Sequence, residues 1–316
     1  MIYPSRLLRA GAAAALLLLG VTPASADPDA PVPPVSARAP EVRLSGKTVT
    51  LPLVMIAEYP FVDGAINGVS GKLMLDTGYE GALTINDHRV PVTGGRTIGT
   101  GFFGSGQTFA VQLLAEVANV RIGAFVFPRV TQVTTQDARL LESITPDFLG
   151  WLGHHAFASH AMKMDYRALE ATFYEEGPAA YLAAEQVLAE LPFETRRLPN
   201  HPILPGRIGD LPVVTTWDTG QYGSLYTTEG NKARLIAEGR LTPSATDPDV
   251  FDLAGVEIAG HVMPVIPGID VVIGPSHSSR STGITETEEL VIGYALLRQF
   301  KSVWDYRQNR LYLLAP

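Results

Sequence analysis

The chain contains no cysteine. That absence excludes disulfide staples, thiolate nucleophiles and cysteine-ligated metals, so stability has to come from a buried core. Charge is also sparse: 18% of the 316 residues are Asp, Glu, Lys or Arg, the formal balance is −8, and the longest basic cluster is the pair Arg196-Arg197. With no cationic stripe to neutralise phosphates, nucleic-acid binding is not expected. The apolar run from Ala12 to Leu19 falls well short of the roughly 20 residues a membrane-spanning helix needs.

That run follows Arg6 and Arg9 and precedes the small-residue site Ala24-Ser25-Ala26, the pattern of a cleaved secretion signal over residues 1–26. The expected location is therefore the periplasm or the medium, with no membrane span after cleavage. Residues 27–40 carry Pro28, Pro31, Pro33, Pro34 and Pro40 with few large apolar side chains, and read as an extended leader. Folded structure is expected from near Glu41. At 46% hydrophobic residues the remainder suits a globular protein with a large core, of one large domain or two ordinary ones.

Self-similarity favours two. Lys72-Leu73-Met74-Leu75-Asp76-Thr77-Gly78 and Val213-Val214-Thr215-Thr216-Trp217-Asp218-Thr219-Gly220 each read as a strand running into Asp-Thr-Gly, followed by two residues, a glycine, one residue and a leucine. Downstream, Trp151-Leu152-Gly153 precedes Asp165-Tyr166-Arg167, and Val291-Ile292-Gly293 precedes Asp305-Tyr306-Arg307. The intervals nearly agree: 165 − 76 = 89 and 305 − 218 = 87. One Asp-Thr-Gly is expected by chance in roughly one chain in fifteen of this length, so the signal lies in two copies inside a longer repeat.

These paired motifs resemble those of the retropepsin-like and pepsin-like aspartic proteases, over roughly Val49 to Leu314. The resemblance implies a mainly β, bilobal acid-protease fold of two related barrel-like lobes. The corresponding division is an N-terminal lobe over residues 41–176, a helical linker over 177–195 and a C-terminal lobe over 196–316. It implies an exported aspartic endopeptidase acting on peptide or protein substrates, monomeric, with no metal and no cofactor. Asp76 and Asp218 would be catalytic, Thr77, Gly78, Thr219 and Gly220 would support the active loops, and Gly153 and Gly293 would underpin them. Chemically, two carboxyl groups about 3 Å apart cannot both ionise, so they share a proton and together supply the acid and the base that amide hydrolysis needs. Where the family has a small residue after Asp-Thr-Gly, this chain has Tyr79 and Gln221, which keeps open the alternative of a catalytically silent peptide- or envelope-binding protein.

The stretch Gly99-Thr100-Gly101-Phe102-Phe103-Gly104 formally matches a dinucleotide fingerprint, but the alternating residues after it predict a strand where that site needs a helix. By resemblance, Gly101, Phe102, Phe103 and Gly104 form a substrate-covering flap; a glycine-rich hairpin without substrate contact is the other reading. Strands are expected over Val49 to Ile56, Phe109 to Leu114 and Leu311 to Leu314, and helices over Ala179 to Leu191 after Pro178, around Asp87 and over Lys232 to Glu238. His154, His155 and His160 lack an accompanying carboxylate pattern and read as surface or packing residues. Ser276, Ser278, Ser279 and Ser281 around His277 read as a polar loop, since no nucleophile elbow surrounds them. Asp165 and Asp305 read as structural.

Overall fold

The computed structural model describes residues 46–102, 107–245 and 247–316. The expected signal, the leader, Phe103 and Gly104 lie outside them. Among the described residues the strands form three sheets: one of eight strands from the first half, one of nine from the second, and one of six to which both halves contribute. Helices are short, the longest being Glu229–Ala237. The fold is mainly β and bilobal.

The repeated landmarks occupy the same place in each half. In the first, Val69–Asp76 pairs in parallel with Phe148–Gly153, which pairs antiparallel on its other side with Leu83–Asn86. In the second, Leu211–Trp217 pairs in parallel with Glu289–Ile292, which pairs antiparallel with Gly223–Thr227. A strand with neighbours on both edges and both faces covered has no solvent side, so it is apolar nearly throughout. Phe148–Gly153 and Glu289–Ile292 are buried at every position. The chain leaves the first strand of each trio through Asp-Thr-Gly and re-enters through the third, which puts each aspartate at the mouth of a tight loop.

The third sheet ties the halves together. Its order runs Thr48–Pro52, Glu170–Tyr174, Ala161–Asp165, Lys301–Asp305, Arg310–Leu314, Val187–Pro192. The join is antiparallel, with Met162 opposite Trp304 and Asp165 opposite Lys301. Asp165 and Asp305 end the two joining strands. Asp165 Oδ1 accepts the Arg167 and Ala168 amides at 3.0 and 2.8 Å. Buried Asp305 accepts the Tyr181 hydroxyl at 2.9 Å and pairs with Arg307 at 3.3 Å. Both are turn-forming, structural carboxylates.

Two helix expectations are corrected. Pro178 does open a helix, but it stops at Tyr181; Ala184 adopts a left-handed φ of +60°, and Val187–Pro192 is a strand paired with Arg310–Leu314. Residues 177–195 are therefore not a helical linker. The side chains at Ala189, Leu191 and Phe193 are buried while Leu188, Glu190 and Pro192 are exposed, a period of two that serves the sheet and overrides local helix propensity. Around Asp87 the chain makes a turn closed by the Val90 amide on the Asn86 carbonyl at 2.9 Å. The helix expected over Lys232 to Glu238 is present as Glu229–Ala237, capped by Thr228, whose side chain accepts from the Asn231 amide at 3.2 Å.

Candidate active site

The two Asp-Thr-Gly loops, one from each half, meet and interlock. Thr77 Oγ1 accepts the Thr219 amide at 2.9 Å, and Thr219 Oγ1 accepts the Thr77 amide at 3.0 Å while donating to the Leu75 carbonyl at 2.9 Å. Each hydroxyl thus replaces a backbone partner the tight loop cannot provide. Asp76 and Asp218 are buried, with 0% and 1% exposure. Asp218 Oδ1 accepts the amides of Gly220 at 2.7 Å and of Gly78, from the opposite half, at 3.1 Å; Asp76 Oδ1 accepts the Tyr79 amide at 3.2 Å. Neither Asp76 Oδ2 nor Asp218 Oδ2 accepts from an amide or hydroxyl among the described residues, and the two carboxyls lie within hydrogen-bonding reach of each other.

The glycines matter here for space. Neither Gly78 nor Gly220 has a left-handed backbone, so any L-residue could adopt the conformation. A Cβ on Gly78, however, would stand 2.2 Å from Asp218 Oδ2, and one on Gly220 would stand 2.4 Å from the Asp76 carboxyl carbon. Each carboxyl therefore lies flat against the other half's glycine. Beneath, Gly153 and Gly293 allow the equally close approach of the chain after each loop: the carbonyls of Tyr79 and Gln221 accept the His154 and Tyr294 amides, both at 2.8 Å.

Burial pushes both carboxyls up from the usual carboxylate range. At Asp76, shifted well above it, burial acts first and repulsion from Asp218 second. At Asp218 burial also raises the pKa, with the Gly220 and Gly78 amides opposing it. The site thus holds at least one proton more readily than two free aspartates would. This is the condition for one group to serve as acid while the other serves as base.

Tyr79 does not reach the carboxyls. Its buried hydroxyl bonds to Thr134 at 2.7 Å and to Thr84, and its ring covers Gly153, so this bulky residue is spent on the interior of its own half. Sequence reading missed Asn200 and His201. Asn200 Nδ2 reaches from the second half to donate to the carbonyls of Thr77 and Gly78 at 3.1 and 2.7 Å, and the His201 imidazole meets the Gly78 carbonyl. Tyr306 donates to the Asn200 carbonyl at 3.2 Å and packs edge-on against His154, ring centres 4.4 Å apart. The Tyr166 ring likewise lies against Tyr294 at 5.2 Å. Each Asp-Tyr-Arg tyrosine thus packs on the residue that follows the opposite half's Gly153 or Gly293. Burial lowers the His154 pKa to about 3 and the His201 pKa to about 4, which keeps both rings neutral.

At the end of the eight-stranded sheet Arg96–Phe102 pairs antiparallel with Thr108–Ile122, with Gly101 opposite Phe109. Gly101 is covered by the Phe109 ring, 2.3 Å from where a Cβ would stand, and Phe102 ends the first strand. Near the dyad the halves also enclose a cavity of about 40 Å³ between Glu58 and Tyr59 on one side and Gln221, Ser224 and Asp270 on the other.

No protein-family model matches the chain, and no curated protein matches its sequence. Among solved structures, the crystal structure of an aspartic proteinase from Irpex lacteus aligns with a TM-score of 0.51 at 13% identity, over 85% of this chain and 97% of that one. At that identity the likeness speaks for architecture: the chain has the bilobal, mainly β fold of a pepsin-like aspartic proteinase.

Proposed function

We propose that the protein is an exported aspartic endopeptidase, acting as a single chain on peptide or protein substrates. The observation that carries this reading is the pair of buried carboxyls, one from each half, each seated against the other half's Asp-Thr-Gly glycine. The two Oδ2 atoms, which no amide or hydroxyl engages, offer lone pairs to one water. The ionised carboxyl takes a proton from that water as its oxygen forms a bond to the scissile carbonyl carbon, and the protonated carboxyl gives its proton to the carbonyl oxygen. The tetrahedral adduct collapses with cleavage of the C–N bond as the carboxyl that took the water proton passes it to the leaving nitrogen and an adduct hydroxyl returns its proton to the other carboxyl. Activity is expected from acid to near-neutral pH, where the pair carries one shared proton. Export is inferred from residues 1–26 and the flap role from the paired edge strands at Gly101.

Digestion of a mixed peptide pool by the mature protein tests the reading. Cleavage by wild type that falls by several orders of magnitude in Asp76→Asn and in Asp218→Asn is the expected result. Cleavage persisting in either variant refutes it. Peptide binding without turnover would instead support the silent binding protein, a reading favoured by Tyr79, whose hydroxyl is engaged away from the dyad.

A further inference from the structure

The two sides of the dyad are built from corresponding positions with opposite chemistry. Two residues before each aspartate stand Met74 and Thr216; these face Trp151 and Val291 across corresponding parallel pairs. Three residues after come Tyr79 and Gln221. Seventeen before (76 − 59 = 17 and 218 − 201 = 17) come Tyr59 and His201. In the first half Tyr59, Met74, Tyr79 and Trp151 belong to one apolar cluster, and the Tyr79 ring fills the space. In the second half His201, Thr216, Gln221 and Val291, joined by Ser276, Ser278 and Glu289, surround a cavity of about 10 Å³ whose wall includes Asp218 itself. That is room for one water-sized polar group.

The cavity has an unanswered acceptor. His201 is buried and its Nε2 bonds to no described group. Because the other ring nitrogen donates to the Gly78 carbonyl, the neutral ring leaves Nε2 as an acceptor. Ser276, Ser278, Thr216 and Glu289 among the other polar walls are engaged elsewhere. Ser276 and Ser278 hydroxyls are 2.5 Å apart, and Glu289 accepts from Thr216 at 2.9 Å and from Ser279 at 3.1 Å. The serine cluster of the sequence is thus a wall of this cavity. A buried acceptor without a donor destabilises its surroundings, and an apolar side chain inserted here would leave it so.

The geometry points to a polar specificity pocket beside Asp218, which takes the polar tip of a short substrate side chain that donates a hydrogen bond to His201 Nε2: serine, threonine or asparagine in preference to leucine or phenylalanine. This inference rests on the peptidase reading and adds a substrate class to it. The test is digestion of a random peptide library by the mature protein, with cleavage sites read by mass spectrometry. At one position flanking the cut, Ser, Thr and Asn should exceed Leu and Phe about tenfold, the effect of one neutral hydrogen bond. His201→Asn keeps an amide donor for the Gly78 carbonyl but has nothing at the Nε2 position, and Thr216→Val makes another wall apolar. Either folded variant should lose the preference. Cleavage that depends on Asp76 yet favours Leu or Phe on both sides of the cut, or a Ser preference untouched in both variants, overturns the pocket and leaves the peptidase standing. No cleavage by wild type at any pH overturns both.

Discussion

Gly78→Ala tests the packing of one half's loop on the other half's carboxyl without requiring any substrate. The added methyl would lie 2.2 Å from Asp218 Oδ2, whereas ordinary contact is about 3.5 Å, so the two must separate by roughly 1.3 Å. The Gly78 amide, 3.1 Å from Asp218 Oδ1, moves out of hydrogen-bonding reach in the process. Overpacking costs about 1–3 kcal/mol and the loss of a bond to a charged acceptor about 1.5–3 kcal/mol. Since the two share one displacement, about 3 kcal/mol is the expected total. In an Asp218→Ala background the carboxyl is gone, and the same substitution should cost under about 0.5 kcal/mol. Denaturant unfolding of the four proteins of this cycle, at one pH, gives the coupling directly. A Gly78→Ala cost that is equal in the two backgrounds would show that the carboxyl does not occupy that space. In the peptidase assay Gly78→Ala should lose about 100-fold in rate, the usual effect of a 1 Å misplacement.

Both carboxyls have pKa values raised by burial. Their favourable contribution is fully present below the unfolded value and is lost as pH rises through the folded values. Asp218→Asn should therefore gain thermal stability relative to wild type between about pH 4 and pH 7; a Tm difference that is flat with pH contradicts the burial. Tyr79→Phe strips a hydroxyl from Thr84 and Thr134 and should cost about 1–2 kcal/mol in unfolding measurements, with peptide cleavage within a few-fold of wild type; a hundredfold loss of rate would mean the hydroxyl serves the carboxyls after all. Asn200→Ala leaves the carbonyls of Thr77 and Gly78 without their donor, and a loss of about 2–4 kcal/mol is expected, measurable as a shift in denaturant midpoint.

What the sequence disclosed best was what symmetry repeats in identity. Asp-Thr-Gly and the glycine-ended buried strands recur as residues because in both halves close approach forbids a Cβ or the loop requires the same hydroxyl, and Asp-Tyr-Arg recurs because each tyrosine packs on the residue after the opposite half's glycine. Asn200 and His201 escaped for the opposite reason. Their counterparts one repeat earlier are Glu58 and Tyr59, so the positions repeat while the chemistry does not, and only the shared offset of seventeen residues could have drawn attention to them. The strand Val187–Pro192 was hidden by its helix-forming residues, since its conformation is decided by the C-terminal strand Arg310–Leu314, more than a hundred residues away. Nothing in the sequence alone set the direction of the Tyr79 side chain, which is fixed by hydroxyl partners at Thr84 and Thr134.

The antiparallel join of Ala161–Asp165 with Lys301–Asp305 makes each half a custodian of the other's solubility. Expressed separately, either fragment would bare a row of unsatisfied amides and carbonyls along a largely buried ribbon, an invitation to clump or to pair with its own twin. Co-produced fragments should instead find one another through that ribbon, and the pairing would align the distant aspartates as a by-product of mending the exposed edge.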